Sequence, residues 1–450
     1  MSQYKSLKDS QLIVSDTISQ HDLEKLMDLE NGKLSRHIFW DQNIYERELT
    51  HVFARSWLFL GHESQIPSAG DYLTTTMGED DVLVVRQKDG GIRAFLNTCP
   101  HRGNRLCFSE AGNARGFICN YHGWSFGIDG KLRGMHESGA YEDSQFDKSK
   151  HGLHEVPHVD CYKGLIFGNL DPEACTLSDY LGDFKWYLDV MLDMDGSGTE
   201  FIGGCVKSVM HCNWKLAAEN FVGDVLHAGW THDSGARAML GGAVARLGED
   251  PETFQVNVNG HGWEFNLDIV GNAGTFGDKE VLRYLYELQP KVAKRLGDFR
   301  SKMIGSISSA TIFPNMSFLP GQNTFRVWQP RGPNKIELYT WTLVNKSAPD
   351  DIKERYRIGS MMTFSPSGVF EMDDGENWEY STRTNRGVVT RNQDLYIGLG
   401  MNTRIDRPDL PGNVFKGQLN EANQRAYYQR WLDFMKAESW ADLEVNNYGQ

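Results

Sequence analysis

Two short motifs carry sulfur and nitrogen ligands at a spacing that suits a redox centre. They are Cys99-Pro-His101 and, after seventeen intervening residues, Cys119-Asn-Tyr-His122. Two thiolates can hold one iron of a [2Fe–2S] cluster while two imidazoles hold the other. Because neutral imidazoles replace two thiolates, such a cluster has a higher reduction potential than a four-cysteine cluster. A structural zinc site is the alternative for mixed Cys and His ligands, and the spacing of Gly103, Gly123 and Trp124 disfavours it.

A second group of potential metal ligands lies further along the chain. Asn220, Asp224 and His227 are spaced by four and three residues, so a helix would place them on one face. His232 is five residues beyond His227. For both imidazoles to reach one metal, the helix must distort or end between them, and Gly229 most easily allows this. The alternative is that both histidines are hydrogen-bonded core residues.

Asp374 is the candidate for a third ligand at this second site. Ser365 can cap a helix with Pro366 at its first position, so that Phe370 and Asp374 share a face. Two histidines and one carboxylate, with other positions open, form the facial triad of non-haem Fe(II) oxygenases. Asp373 is a rival ligand, because periodicity does not choose between neighbours. The alternative for both aspartates is a solvated acidic patch.

The cluster motifs lie among short predicted strands. Asp81 to Arg86 reads as a strand, Lys88 to Gly91 as a hairpin turn and Ile92 to Asn97 as the returning strand. Leu165 to Leu170 reads as the last strand of this region. A helix from Asn43 to Trp57, with a helix-period apolar stripe, precedes the strands. The cluster motifs are therefore expected on loops of a β-domain.

The second ligand group lies in a longer region of mixed helices and strands. A helix is predicted from Asn213 to Trp230, followed by glycine-rich loops at 241–243 and 271–274. Strands are predicted at 310–318, 325–329 and 335–344. This pattern indicates a large α+β domain built on an antiparallel sheet.

Composition excludes several partners. The 450-residue chain has a formal net charge of -14, so nucleic acid and anionic membrane surfaces are not expected as partners. Its first residues lack the apolar core expected of a signal peptide, and no later segment approaches the roughly 20 apolar residues expected of a membrane span. Two of the seven cysteines are assigned to the cluster, and the odd remainder argues against a disulfide framework. We therefore expect a cytoplasmic protein.

Together, the motifs resemble the large (alpha) subunit of Rieske non-haem iron aromatic ring-hydroxylating dioxygenases, of the naphthalene and polycyclic aromatic hydrocarbon group. The resemblance runs from the two cluster motifs through Asn220 to His232 and on to Phe364-Ser-Pro with Asp374. It implies an N-terminal helical segment at 1–56 that packs on the catalytic domain. An all-β Rieske [2Fe–2S] domain at 57–175 would follow, and then a catalytic domain at 176–450 with an antiparallel sheet flanked by helices, similar to a helix-grip fold.

The resemblance also implies roles for individual residues. Asp374 is preferred over Asp373 as the iron ligand because of its distance from Phe364 and Phe370. Asp224 would bridge a ligand histidine to a Rieske histidine of a neighbouring subunit, although it could instead only orient a metal-bound histidine. Asn220 is grouped with Asp224 as catalytic. The implied ligands are Cys99, His101, Cys119 and His122 for the [2Fe–2S] cluster and His227, His232 and Asp374 for mononuclear Fe(II).

The implied reaction adds both atoms of O2 to an aromatic ring as a cis-dihydrodiol, with electrons from a ferredoxin and its reductase. A small beta subunit and an α3β3 assembly are also implied. The pocket is mostly apolar without an evident cation, which favours neutral bicyclic or polycyclic hydrocarbons. Alternatives are an aromatic-carboxylate (salicylate-type) hydroxylase, which needs a basic residue such as Arg237, and a non-enzymatic Rieske electron carrier. The implied pocket positions are Phe221, Ala228, Ile307, Ser309, Phe364 and Phe370.

Overall fold

The computed structural model of the chain describes residues 20–141, 146–240, 252–267, 277–306 and 308–443. These residues form two compact units, one made of 54–177 and the other of 20–53 with 178–443. The predicted glycine-rich loops at 241–243 and 271–274, and Ile307, lie outside the described residues. Elements are numbered along the chain, and the two units are described separately.

The second unit begins with a short N-terminal segment that contains α1 (Gln20–Glu24), β1 (Met27–Asp28), β2 (Lys33–Ser35) and α2 (Gln42–Glu48). A π-helical turn over Leu49–Phe53 follows α2. The α-helix is therefore shorter than the predicted helix, which ran to Trp57. One cause is local, because the Thr50 hydroxyl donates to the Arg47 carbonyl (3.0 Å) and competes with the regular helical ladder.

Buried Glu48 ties this segment to the rest of its unit. Its carboxylate accepts hydrogen bonds from the indole N–H groups of Trp214 (2.8 Å) and Trp431 (2.9 Å). The ammonium group of Lys215 is its ion-pair partner, and both side chains are almost fully buried. Such a charged pair is tolerated in the interior because each charge has partners.

The first unit consists of short antiparallel strands. Its sheets have the strand orders β6-β5-β4-β7, β10-β9-β8 and β11-β12-β3. The strands are β3 (Leu58–His62), β4 (Asp71–Met77), β5 (Asp80–Arg86), β6 (Ile92–Leu96), β7 (Ala111–Asn113), β8 (Gly116–Ile118), β9 (Ser125–Gly127), β10 (Leu132–Gly134), β11 (His158–Tyr162) and β12 (Leu165–Asn169). The predicted all-β fold and the hairpin between β5 and β6 are confirmed. Cys99 and Cys119 are part of a buried cluster that includes Trp124.

The second unit is organised around a nine-stranded antiparallel sheet of order β13-β19-β18-β17-β16-β15-β14-β22-β21. A separate small sheet pairs β20 (Asp394–Tyr396) with β2. The strands of the large sheet are β13 (Thr199–Met210), β14 (Thr253–Val258), β15 (His261–Asn266), β16 (Ser309–Ile312), β17 (Met316–Leu319), β18 (Thr324–Pro330), β19 (Ile336–Asn345), β21 (Arg404–Ile405) and β22 (Asn413–Lys416). The α+β prediction with an antiparallel sheet is confirmed.

Helices accompany this sheet throughout the unit. They are α3 (Leu177–Leu181), α4 (Phe184–Leu192), α5 (Trp214–Phe221), α6 (Val225–Thr231), α7 (Asp233–Leu240), α8 (Lys279–Leu296), α9 (Asp298–Ser301), α10 (Asp350–Thr363), α11 (Val369–Asn385) and α12 (Ala422–Lys436). Among the described residues, no helix combines the length and apolar character needed to cross a membrane. The possible metal ligands of this unit lie on α6, at its C-terminal cap and on α11.

Candidate metal centres

The two cluster motifs of the first unit form a matched pair of loops. The N–H of Gly103 donates to the Cys99 carbonyl (2.9 Å), and the N–H of Gly123 donates to the Cys119 carbonyl (3.0 Å). Both glycines have left-handed backbones, with φ of 74° and 70°. Glycine adopts this conformation without steric cost. Each motif therefore requires a glycine four residues after its cysteine.

The side chains of these loops converge. The rings of His101 and His122 have centroids 4.5 Å apart, and the indole of Trp124 stacks on His101 at 4.8 Å with an interplanar angle of 8°. Cys99 and Cys119 are both buried. Nδ1 of His101 is buried without a hydrogen-bond partner in the described structure. Burial, with His122 and Arg102 nearby, lowers the pKa of His101, which favours the neutral imidazole that a metal requires.

In the second unit, the helix predicted from Asn213 to Trp230 is wrong, because two helices replace it. The first, α5, ends at Phe221, and Asp224 caps the start of α6 by accepting the N–H of His227 (3.3 Å). Between them, Gly223 has a φ of 148°. A Cβ there would lie 2.9 Å from the side-chain nitrogen of Asn423. The break therefore depends on an aspartate cap and on a glycine that has no room for a side chain.

Both histidines reach one site because the helix ends between them, as predicted, although it does not end at Gly229. Helix α6 runs without interruption through Gly229 to Thr231, and His232 is its C-terminal cap. The chain continues as α7 from Asp233. The helix therefore ends at the second histidine rather than at Gly229, and the two imidazole centroids are 5.1 Å apart.

The helix that carries the aspartates begins later than predicted. The hydroxyl of Ser365 donates to the Met361 carbonyl (2.7 Å) rather than capping a new helix. The N–H of Gly368 donates to the Ser365 carbonyl (2.7 Å), and α11 begins at Val369 after Gly368. Asp374, on α11, is nevertheless buried.

Asp374 lies between the two histidines. Its Oδ1 atom is 3.3 Å from Nε2 of His227 and 3.2 Å from Nε2 of His232. One ligand atom from each of the three residues lies within 4.8 Å of the others. Asp373 instead faces the outer nitrogen of His232, with Oδ2 3.4 Å from Nδ1. Asp224 is placed in the same way on the other histidine, with Oδ2 3.4 Å from Nδ1 of His227.

The electrostatics of this triad suit a cation. Burial acts to raise the pKa of Asp374, but the two imidazoles outweigh it and lower that pKa to about 2. Burial acts to lower the pKa of His227, but Asp224 and Asp374 hold it well above its ordinary value, so a cation bound here would displace a proton from the imidazole. Oδ1 of Asp374 is buried and lacks a hydrogen bond within the described residues. A buried carboxylate facing two imidazole nitrogens therefore fits the donor set of a divalent iron.

Asn220 lies at the edge of this site. Its Oδ1 accepts a hydrogen bond from the indole of Trp378 (3.2 Å), which turns its Nδ2 toward Nε2 of His227 at 3.5 Å. The structure therefore brings Asn220, Asp224 and His227 together even though they do not share one helix.

Three of the predicted pocket aromatics form a continuous group beside the triad. The Phe370 ring is 4.7 Å from His232, Phe364 is 5.6 Å from Phe370, and Phe221 is 6.5 Å from Phe364, between ring centroids. Ala228, half-buried, follows His227 on α6.

Ser309, the remaining described pocket position, has a different environment. It is buried on β16, and its hydroxyl donates to Oε1 of Glu264 (2.9 Å). The N–H of Val225 donates to the other oxygen of Glu264 (3.2 Å), and burial raises the pKa of Glu264 to about 8. The Ser309 hydroxyl is thus engaged within the protein. Ile307, predicted beside it, lies outside the described residues.

Sequence reasoning missed a cation among these aromatics. The guanidinium of Arg326 lies 4.7 Å from the ring centroids of both Phe221 and Phe364. It is ion-paired with Glu371 (2.8 Å), and both side chains are almost fully buried. The prediction of surroundings without a cation is therefore corrected. Glu371, the carboxylate partner of Arg326, directly follows Phe370 in the sequence. Positions 326 and 371 are far apart in the chain, and no sequence pattern indicates that they pair.

Comparison with known families identifies both units. The family described as the Rieske [2Fe-2S] domain matches residues 56–157, and the ring hydroxylating alpha subunit (catalytic domain) matches residues 177–437. The chain belongs to the ring-hydroxylating alpha subunits. It is thus a Rieske non-haem iron ring-hydroxylating dioxygenase subunit, whose cofactors are a [2Fe–2S] cluster and mononuclear iron. The predicted family, enzyme class and cofactors are confirmed.

Individual relatives of this alpha subunit match along almost the whole chain. The biphenyl dioxygenase subunit alpha of Paraburkholderia xenovorans is 44% identical, with 93% of this chain and 94% of the relative covered. The benzene 1,2-dioxygenase subunit alpha of Pseudomonas putida is 42% identical, with 94% and 96% covered. A solved structure of naphthalene 1,2-dioxygenase with indole bound in the active site has a TM-score of 0.88 at 37% identity, with 93% of this chain and 95% of that chain covered.

Proposed function

We propose that this alpha subunit oxidises a neutral bicyclic or polycyclic aromatic hydrocarbon to a cis-dihydrodiol. The reaction joins both atoms of O2 to neighbouring ring carbons and consumes two electrons and two protons. The observation that carries the substrate class is the aromatic group of Phe370, Phe364 and Phe221 beside the triad of His227, His232 and Asp374. Aromatic rings bind an apolar ring by contact area and by edge and face stacking.

The two metal centres are proposed to have different roles in the reaction. Cys99, Cys119, His101 and His122 would hold the [2Fe–2S] cluster, and His227, His232 and Asp374 would hold Fe(II). When bound, the iron supplies dioxygen activation and the cluster supplies electrons. The chain's own residues position the ligands and exclude side reactions.

Two carboxylates are proposed to orient the histidine ligands. Asp224 and Asp373 each lie 3.4 Å from the Nδ1 atom of one histidine. A carboxylate there holds a proton on Nδ1, which leaves Nε2 free to bind metal. Asn220, held by Trp378, directs its amide toward the same site. Asp373 is thus proposed as an orienting group rather than as a ligand.

The partners proposed for this chain are a ferredoxin with its reductase, a small beta subunit and an α3β3 assembly. Relatives named as alpha subunits of dioxygenases support the multicomponent arrangement. We further propose that Asp224 connects the iron site to the cluster of a neighbouring subunit. This role would explain why the Asp224 side chain, which faces His227, remains 30% exposed.

Charge pairing disfavours the aromatic-carboxylate alternative. Arg237, the cation which that alternative invoked, is ion-paired with Asp233 at 2.7 Å. Arg326, the cation that touches the predicted pocket aromatics, is neutralised by Glu371. Each of these two arginines is thus already paired with a carboxylate of the protein. A substrate carboxylate buried beside the aromatic rings would have neither arginine available as a partner, and an unpaired buried charge is costly. The electron-carrier alternative is excluded by the match to the catalytic domain.

A single turnover under ¹⁸O-labelled dioxygen tests the proposal. The purified oxygenase, with both metal centres filled, is reduced chemically and given naphthalene, biphenyl or salicylate separately. We expect a cis-dihydrodiol with two labelled oxygens from naphthalene or biphenyl and no product from salicylate. The His227→Ala variant is the matched control and should give no product. Turnover of salicylate alone would overturn the proposed substrate class.

A further inference from the structure

The first unit has a charged groove that takes no part in the proposed reaction. It has a volume of about 810 Å³, and its lining includes strands β8 and β9 and the hairpin between β5 and β6. Phe117 and Phe126 are its buried aromatic residues, whereas Ile118 is 68% exposed. Four cationic side chains line it, namely Lys88, Arg93, Arg115 and Arg133.

The charge of the groove is opposite to that of the whole chain. Asp89 and Asp129 are its acidic lining residues, and Glu155 lies 3.6 Å from Arg93, so four cations and three carboxylates leave an excess of one positive charge, whereas the chain carries -14. Arg133 is paired with Asp129 at 2.7 Å. Lys88 and Arg115 are exposed, and no ion pair involves either of them within the described residues. Such a local positive site attracts an acidic partner and raises its association rate.

The groove adjoins the cluster loop. Ile118 directly precedes the cluster ligand Cys119, and Ser125, also in the lining, directly follows Trp124. The indole of Trp124 stacks on the ligand His101. A protein bound in the groove would therefore contact residues that are covalently next to the cluster site. Protein interfaces likewise combine apolar contacts with a polar, solvent-accessible rim.

We infer that this groove is the docking surface for an acidic electron-donor protein that reduces the [2Fe–2S] cluster. The inference rests on the proposed function, because it assigns the entry point of the electrons that the reaction consumes. One electron passes from the reduced donor to the oxidised cluster in each encounter, with no bond formed or broken. Lys88 and Arg115 supply the attraction, and Ile118 supplies the apolar contact next to Cys119.

Stopped-flow reduction of the cluster tests this inference. The complete oxygenase is mixed with a reduced [2Fe–2S] ferredoxin of net negative charge, without aromatic substrate, and the cluster absorbance is followed. We expect the Lys88→Glu/Arg115→Glu double variant to be reduced at least about tenfold more slowly at low salt, since charge reversal converts attraction to repulsion. The difference should shrink as ionic strength rises. Lys163→Glu, an exposed cation of the same unit outside the groove, should keep the unmodified rate.

Chemical reduction separates docking from the proposed reaction. With dithionite as reductant, the double variant should reduce its cluster and complete a single turnover as the unmodified enzyme does. An absence of product from every enzyme under dithionite would contradict the proposed function while the docking measurement would still stand. If the double variant does not fold, the single variants Lys88→Gln and Arg115→Gln should each lower the rate and its dependence on salt.

Two outcomes would overturn the inference. One is a ferredoxin-driven rate that is the same in the double variant as in the unmodified enzyme. The other is a slower rate accompanied by a smaller assembly in size-exclusion chromatography, which would make the groove a contact with another subunit. A tenfold effect on reduction with an unchanged assembly size would support docking.

Discussion

At the scale of single residues, three aspartates around two imidazoles have different environments. Asp374 is buried and faces both Nε2 atoms, whereas Asp224 and Asp373 are partly exposed and each face one Nδ1 atom. Residue type and spacing could nominate all three. They could not choose between the neighbours Asp373 and Asp374, because the choice depends on which carboxylate turns toward the inner nitrogens after α11 packs. The ligand roles of these residues stay predictions that variants can test.

Replacement of Asp224 by Asn tests its connecting role. The neutral amide keeps the size and can still accept the N–H of His227, so both metal centres should fill. Turnover should nevertheless be almost lost, because the variant lacks the charge that is proposed to orient His227 and to link the two centres. Iron and sulfide content together with steady-state rates provide the measurement. A turnover rate close to that of the unmodified enzyme would remove the connecting role.

Replacement of Asp373 by Ala tests its orienting role. Loss of the carboxylate beside Nδ1 of His232 should weaken Fe(II) binding by about 10- to 100-fold. Anaerobic Fe(II) titration of the apoprotein measures this directly and does not depend on turnover. Glu376→Gln, an exposed charge on the same helix, is the control and should bind iron normally. Complete loss of the site would instead point to Asp373 as a ligand.

At the scale of elements, sequence patterns predicted regular structure better than interruptions. The β5–β6 hairpin could be predicted because a turn motif separates two apolar runs, and the antiparallel sheet followed from its strands. The break between α5 and α6 could not, because it depends on the backbone conformation of Gly223 and on Asp224 acting as a cap rather than as a helical residue. The predicted start of α11 was too early, because the Ser365 hydroxyl donates to the Met361 carbonyl of the preceding helix instead of capping α11.

The buried pair of Arg326 on β18 and Glu371 on α11 also escaped prediction, because its members are distant in sequence. Glu371→Gln would leave the guanidinium without its charged partner. We expect a loss of about 3–5 kcal/mol in the free energy of unfolding, as for other broken buried pairs. Urea unfolding of the variant measures it, and the Arg326→Met/Glu371→Leu double variant should recover most of the loss. A change below about 1 kcal/mol would show that the pair is dispensable for stability.

At the scale of the whole molecule, the resemblance read from two motif groups identified the family, and full-length relatives agree with it. The exact domain limits at 57–175 and 176–450 stay predictions. Three features could not be predicted from the sequence. They are the geometry of single residues in loops, the cation beside the aromatic group and the groove on the first unit. They depend on which side chains meet after folding, which local periodicity does not encode.

Separate sets of ligands on the two units predict independent metal centres. The His227→Ala variant should lose about one iron per chain, since the facial triad loses a donor. Its Rieske absorbance and electron paramagnetic resonance spectrum should be unchanged, because the predicted cluster ligands lie at 99–122 in the other unit. Metal analysis combined with spectroscopy checks both statements. Loss of the cluster signal in this variant would contradict the independence of the centres.

The short break at 222–224 has a consequence for how such enzymes diversify. It separates the segment that ends in the predicted pocket residue Phe221 from the segment that carries His227 and His232. Changes of side chain before the break need not shift the ligands after it. Relatives with 42–44% identity bear the names of benzene and biphenyl dioxygenases. The break thus lets the pocket change at Phe221 without movement of the two histidines, whereas Ala228 and Phe370 lie on the segments that carry the ligands themselves.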